Sequence, residues 1–496
     1  MPEEKNLTRR SYLKYVGAGV VVVAVAGAGA YYATRPTAPG PTTTPSTVTA
    51  TQTVTAPITS ATVPTSAVTL PNPDWWNPDT NPLYPKEPVT LKMFLSTDFP
   101  PPVIRNAFMT QYPNIKMEVT ATAEYAALLT ALKTKDYVYD GFRAPFANLE
   151  EIIDTGNALD LGPLGASDLT QDYPEWVLSA AAGIGGSLGK QYYAMPEDIG
   201  PCTMLYRSDI FQKYGIEVPK TWDQFAAAAR KLHQDSKGVV YLTTFSVTDL
   251  AATLDAWIWN MGGNTIQPVE GQKDTYRIFL NSPETKKVIE YWGALVDEKV
   301  IPSVAFYSEQ ADRMFSNNEF ASMPIAAAWF GPCVLTKSYP QQATLWRIAP
   351  HPQWSEGENV QGMHGGSVIG VAKNAKYPNA AALFAMWCCA SNPGVVMGWD
   401  QCVWTANQRI LKEESTFGEH YKYYYGGQDY RDFLIPAAAG VDPKFHYTRF
   451  ELGLQSIMGE QFGAAAAGKK SWDSACEDAQ SRMVDMVEAA GGTVVP

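Results

Sequence analysis

Between Val89 and Gly156 short apolar runs of strand length alternate with amphipathic runs of helix length, and this alternation restricts the fold more than any other feature. VTLKMFL, from Val89 to Leu95, reads as a first strand. A helix follows over roughly Val103 to Gln111, and NIKMEVT is a second strand. EYAALLTALKT carries its apolar residues at helical spacing, and YVYDGF around Tyr137 reads as another strand. FANLEEIIDTG is a helix stopped at Gly156, the residue type that closes helices in the left-handed conformation. Strands joined through helices build a largely parallel sheet, so the expected fold class is α/β. A chain of 496 residues exceeds one compact core and predicts two to four units, or two large ones.

The bulk chemistry excludes several functions. A formal charge of -12, without a basic patch in the folded part, argues against a nucleic-acid partner, which needs clustered Lys and Arg. None of the six cysteines forms a CxxC pair, and the five histidines are scattered with no HExxH, so neither metal nor cofactor is expected. GGSLG, from Gly185 to Gly189, matches the nucleophile-elbow pattern. It runs straight into the strand-like QYYAM instead of a helix, and reads as a turn. Gly189-Lys190 lacks the Ser or Thr and the leading Gly of a phosphate-binding loop.

The first 87 residues read as an address and a tether. TRRSYLK, within residues 1–14, resembles a twin-arginine export signal, or else the cationic start of an ordinary secretory signal. The uncharged run within 15–33 is just long enough, at about 1.5 Å per residue, to cross a hydrocarbon core of about 30 Å. Lys5, Arg9, Arg10 and Lys14 precede it and orient the bulk of the chain outward. Ala26-Gly27-Ala28 would permit cleavage and secretion. The linker over 34–87 favours a retained anchor: from Pro36 to Pro73 it carries no charge and is dominated by Thr, Ser and Pro, the composition of a disordered stalk.

VPKTWDQFAAAARKL, from Val218 to Leu232, opens a helix with a capping box, Thr221-x-x-Gln224, and an acidic Asp223 in its first turn. Trp222 sits where it could wedge this helix against YRSDIFQKYGIEVP before it, a folding role and not a binding one. The whole segment YRSDIFQKYGIEVPKTWDQFAAAARKL resembles the central signature of the extracellular solute-binding proteins of family 1, the carbohydrate type that serves ABC importers. Arg207 stands where that family often has Asn. AFMTQYPNIKMEVT, IIDTGNALDLGPL, QYYAMPEDIGPCTMLY, WNMGGNTI, RMFSNNEFASMPIAAAWFGP and GGSVIGVAKNAKYPNAAALFAMWCCAS follow the family's order, and the resemblance runs from about Val89 to Ala490.

The resemblance implies a two-lobed, type II periplasmic-binding-protein-like fold with a ligand cleft between lobes joined by crossing strands. Lobe one would comprise 88–197 and 366–412, and lobe two 198–365 and 413–496. It implies a monomer that captures a sugar or oligosaccharide and hands it to ABC permease subunits on the outer face of the membrane. At strand ends, where α/β folds bind ligands, stand Asp98 and Arg143; a turn role and a surface ion pair compete for them. Asp198, with Glu197 beside it, matches the family's acidic position at the lobe crossing, Trp329 its ring-stacking segment, and Gly365 and Gly366 the return crossing. Trp257 shares a helix face with Leu250 and Leu254 and reads as core, which leaves Trp259 the freer platform. Trp399 and Trp404 fall in a segment resembling the family's loop near the cleft, with core packing as the alternative. Tyr421 to Tyr425 reads as an exposed hairpin edge. Cys202 with Cys333, and Cys388 or Cys389 with Cys402, are candidate disulfides in an extracellular setting. The rivals are an extracellular glycoside hydrolase, which needs two facing carboxylates, and a structural cell-surface protein.

Overall fold

The computed structural model describes residues 73–496 except 123–124, 135–137, 170, 183–190, 247–249, 307, 414–418, 443 and 445. The export run, the expected anchor, most of the stalk, Gly185 to Gly189 and Tyr137 therefore lie outside the described residues. Among the described residues there are ten strands: β1 Val89–Leu95, β2 Ile115–Ala121, β3 Gly141–Pro145, β4 Ala194–Arg207, β5 Ile266–Pro268, β6 Thr275–Ile278, β7 Ser322–Ala327, β8 Trp346–Ala349, β9 Met363–Val371 and β10 Thr493–Val494. The helices used below are α1 Pro102–Gln111, α2 Trp222–Asp235, α3 Leu250–Asn260, α4 Pro283–Asp297, α5 Pro378–Ala390, α6 Asn392–Asp400, α7 Glu419–Tyr424, α8 Glu451–Ala466 and α9 Trp472–Ala489.

The main sheet runs β2-β1-β3-β9-β4-β7, with β8 also on β4, and β10-β6-β5 form a smaller sheet. The alternation in the sequence predicts a largely parallel sheet, but within the main sheet only β2, β1 and β3 pair in parallel and the pairings of β4 and β9 are antiparallel. β9 is antiparallel to both β3 and β4, because these strands carry the chain between two lobes and back. The 14-residue β4 is the long crossing. Its first half, Ala194 to Pro201, pairs with β9, and its second half, Cys202 to Arg207, pairs with β7 and β8.

The apolar side chains gather in two large cores, the first of which runs from β1 through β4 to β7 and β8. In the first, Leu91, Met93 and Leu95 of β1 meet Ile104 and Phe108 of α1 and the residues of α5. α5 is apolar all round and is enclosed from Ala380 to Ala390, as such a helix must be in a globular protein. In the second, Trp222, Trp257 and Trp292 gather beneath α8 and α9. Among the described residues no single helix is long and apolar enough to cross a membrane.

The opening of α2 shows how closely local sequence sets this framework. Thr221 Oγ accepts from the Gln224 backbone N–H at 3.3 Å. The return arm of the box differs from expectation: Gln224 Oε1 accepts from the N–H of Lys220 at 2.8 Å, one residue earlier than Thr221. The Trp222 N–H goes to the Gln353 carbonyl at 3.0 Å. Trp222 is 1% exposed and packs edge-on against Phe225, Tyr291 and Trp292, with ring centroids 5.5–5.8 Å apart. Its indole N–H donates to Asn260 Oδ1 at 2.6 Å. Its partners are thus α3 and α4, where the sequence pointed to the segment before the helix.

Candidate functional site

The acidic pair Glu197-Asp198 lies where β4 passes from one sheet to the next. The ladder to β9 shifts register between Pro196 and Asp198 and again between Ile199 and Pro201. These bulges re-aim the side chains of a strand that would otherwise alternate regularly. Arg143 arrives from β3, donating from Nε to Glu197 Oε2 at 2.5 Å and from Nη1 to Ser96 Oγ at 3.2 Å. Its guanidinium carbon stands 5.4 Å from the Phe99 ring centroid. Asp198 is buried and hydrogen-bonded by the Ser367 hydroxyl and backbone, while its Oδ1 has no partner.

The electrostatics follow from burial. Removal from water pushes both carboxyls above their ordinary range, and the charge of Arg143 pulls them back. For Arg143 burial works against the charge, but Glu197 and Asp198 outweigh it and hold the guanidinium charged. An Asp oxygen left bare in such a place is costly. A ligand hydroxyl donating to it would relieve that cost.

Backbone fit explains the glycines. Gly366 has φ of +113°, and a Cβ there would lie 2.9 Å from the Phe146 ring and 3.1 Å from the Asp198 carbonyl oxygen. A Cβ on Gly200 would fall 2.0 Å from the His364 carbonyl oxygen. The two crossing strands therefore touch backbone to backbone. Trp329, two residues beyond β7, completes the group. It is half-buried, donates from Nε1 to the His364 carbonyl at 3.2 Å, and meets the His364 ring edge-on at 5.5 Å.

Arg143, Glu197, Asp198, Gly366 and Trp329 thus come together. The other candidates do not join them. Asp98 is 51% exposed and bound to Arg105 at 2.6 Å. Trp259 is buried and donates to Asp255 within the core. Trp257 stacks on Trp292 at 3.8 Å, so both faces of α3 are covered. Trp399 and Trp404 are fully enclosed, edge-on to each other at 4.9 Å, and present no face to a solute in this form. The Trp404 carbonyl nevertheless accepts from the Ile199 N–H at 2.9 Å and braces the crossing.

Three residues at the crossing escaped the sequence reading: Ser367, His364 and Tyr447. His364 is buried, its Nε2 lacks a partner, and burial drives its pKa down to about 4, so the ring is neutral. Tyr447 accepts from the Gly365 N–H at 3.2 Å. His364 stands directly before Gly365-Gly366, a position that would have marked it.

The hollow beside Glu197, walled by Pro100, Ile104 and Val403, holds only about 10 Å³. A roomier recess of about 340 Å³ lies between α8 and α9, lined by Glu460, Lys470, Asp478 and Arg482. It is far from the crossing, and Lys470 is already paired with Asp478 there.

Comparison with known proteins bears on this geometry. The family model for bacterial extracellular solute-binding proteins matches residues 95–388, more than half of the chain. The protein belongs to this family of solute-binding proteins. Over 135 residues it is 27% identical to a probable ABC transporter-binding protein of Deinococcus radiodurans, a match covering 26% of this chain and 31% of that relative. It is therefore aligned with about a third of that curated relative's length. Among solved structures, it is similar to the ABC transporter associated binding protein of B. animalis subsp. lactis in complex with β-1,6-galactobiose. The TM-score is 0.71 and the identity 24%, over 83% of this chain and 100% of that one. It is also similar to the galacto-N-biose/lacto-N-biose I-binding protein of Bifidobacterium longum, with a TM-score of 0.69 and 21% identity, over 83% and 100% of the two chains. The two-lobed binding-protein fold is common to all three.

Proposed function

We propose that this protein is the extracytoplasmic binding component of an ABC importer, taking up a sugar or oligosaccharide between its lobes and delivering it to membrane permease subunits without chemical change. The observation that carries this reading is Asp198. A buried carboxylate with one bare oxygen, beside an Arg143–Glu197 pair and a half-buried Trp329, suits a ligand with hydroxyls and a flat C–H face. The disaccharides in the two solved relatives support the same class. Lobe one would consist of 88–197 and 366–412, lobe two of 198–365 and 413–496, with the protein working as a monomer held at the cell surface through its N-terminal segment.

A thermal-shift and calorimetric screen against galactose-containing and other disaccharides tests this. At least one sugar should raise the melting temperature and be recovered intact. Asp198→Asn and Trp329→Ala should each weaken its binding roughly 10- to 100-fold, the worth of a charge-assisted hydrogen bond or a ring contact. If no sugar moves the melt, the class of ligand is wrong; if the sugars are cleaved, the glycosidase reading replaces capture.

A further inference from the structure

All six cysteines are free thiols, so neither expected disulfide is present. Cys202 donates its thiol to the Gly200 carbonyl at 3.5 Å and Cys389 to that of Met195 at 3.7 Å. The pairing that does appear crosses the two guesses: the thiols of Cys333 and Cys402 are hydrogen-bonded to each other. On the lobe division proposed above, on which this inference rests, Cys333 belongs to lobe two and Cys402 to lobe one. Cys333 lies in the helical turn Gly331–Leu335 that follows β7, against the Leu205 half of β4. Cys402 lies just past α6, which packs on α5 and α1 beneath the first sheet.

We propose that Cys333 and Cys402 are a modification site, a thiol pair that an external disulfide oxidant converts into a covalent latch holding the two lobes closed. The surroundings fit a reactive pair and not an inert one. Lys337 donates to Cys402, and the Tyr421 hydroxyl stands 4.0 Å from its sulfur. Burial opposes ionisation of Cys402, yet the Cys333 hydrogen bond and the Lys337 charge outweigh it and hold this thiol below its ordinary range. Cys333 is pushed the other way, first by that hydrogen bond and then by burial. One sulfur is thus the nucleophile and the other its proton-bearing partner. Cys402 also has φ of +80°, an unusual backbone for a residue with a side chain. Such conformations persist at working sites more than elsewhere.

The exchange balances. The Cys402 thiolate attacks one sulfur of the oxidant RSSR and expels RS⁻, which takes up the proton Cys402 has lost. The Cys333 sulfur then attacks the Cys402 sulfur of the mixed disulfide, and the second RS⁻ leaves with the Cys333 proton. Two protein thiols lose two electrons and two protons, and the oxidant departs as two RSH. Cys402 is 2% exposed in the closed form, so a bulky oxidant reaches it when the lobes part. Cys333 can complete the bond only when they meet again. The latch therefore forms on closure and, once formed, forbids reopening and release.

The test uses the full chain and oxidised glutathione, with acid quenching, alkylation and peptide mapping. Two thiols should disappear, a Cys333–Cys402 linked peptide should appear, and the melting temperature should rise by about 5 °C, reversibly with dithiothreitol. Cys333→Ser and Cys402→Ser should each abolish the link and the shift, and Cys389→Ser should leave both. Cys333→Ala, at the half-buried member, serves if the Cys402 variant does not fold. Full alkylation of both cysteines after long exposure of the folded chain would overturn the latch. So would glutathione stranded on Cys402, or a link from Cys402 to any other cysteine.

Discussion

Trp222 shows how one side chain can look functional and be structural. It is buried against Phe225, Tyr291 and Trp292, with its indole N–H on Asn260 and its carbonyl accepting from the Tyr291 hydroxyl at 2.6 Å. Trp222→Ala should cost about 3–5 kcal/mol, because a cavity that size cannot collapse among rigid rings. Trp222→Phe should cost about 1–2 kcal/mol, mainly by stranding Asn260 Oδ1. Urea unfolding measures both; an unchanged midpoint for the alanine variant would show that the aromatic cluster does not hold this lobe together. The contrast with Trp329 is instructive. Both follow family-like motifs, but only Trp329 keeps part of its surface open beside Asp198. Burial distinguishes them, and burial is a tertiary property.

At the scale of elements, α3 and α8 meet across a second pair of buried acids, Asp255 and Glu451. Thr265 Oγ1 donates to Asp255 at 2.6 Å, Trp259 donates to it as well, and Gln455 donates to Glu451 at 3.2 Å. Burial raises both acids, Asp255 to about 6 and Glu451 further through repulsion by Asp255, with the Tyr447 phenol close by. The pair titrates as a unit. Between pH 4 and pH 6, roughly, the folded protein keeps a proton that the unfolded chain has released. Stability from this group is thus present at low pH and lost as pH rises through that window, by up to about 3 kcal/mol. Asp255→Asn should flatten that dependence in chemical denaturation between pH 4 and 7, and an unaltered slope would exclude the pair as its source. Nothing in the sequence marked this contact, because α3 is covered on both sides, by β9 and by α8. Helical spacing separates Trp257 from Trp259 by face but cannot tell that both faces are buried. By contrast β1 was legible to the residue, since VTLKMFL sets apolar residues at strand spacing with only Thr90 and Lys92 turned outward. The Tyr421–Tyr425 segment was legible and misread. Its inward Tyr421, Tyr424 and Tyr425 have helical spacing, with Tyr423 72% exposed, and it forms the end of α7 and not a hairpin edge. The acidic crossing was legible through motif order, whereas the Cys333–Cys402 contact joins positions that only the tertiary fold brings together.

For the molecule as a whole, the question is what holds the lobes closed before any ligand or disulfide does. Besides the buried crossing, polar contacts near the surface tie the segment around Arg449 to the helix Leu149–Asp154. Arg449, next to Phe450 of the second core, donates to Asp154 at 2.9 Å and from its backbone to Glu150 at 3.2 Å. Asp154 ends the helix Leu149–Asp154, whose Ile152 packs under the first sheet. The same guanidinium reaches Asp274, in its own lobe, at 3.1 Å. Asp154 is half-exposed, so the interlobe arm is worth no more than about 1 kcal/mol and is screened by salt. That is too little to fix a fold, but it is enough to move a closed-to-open ratio roughly fivefold. Arg449→Ala should therefore leave each lobe folded and shift the ligand-free protein toward the open form, visible as a larger radius of gyration in X-ray scattering. Raising salt should move the wild type in the same direction and the variant hardly at all. If neither changes the radius, closure is governed by the buried contacts at β4 and β9, and the Arg449–Asp154 pair is incidental to it.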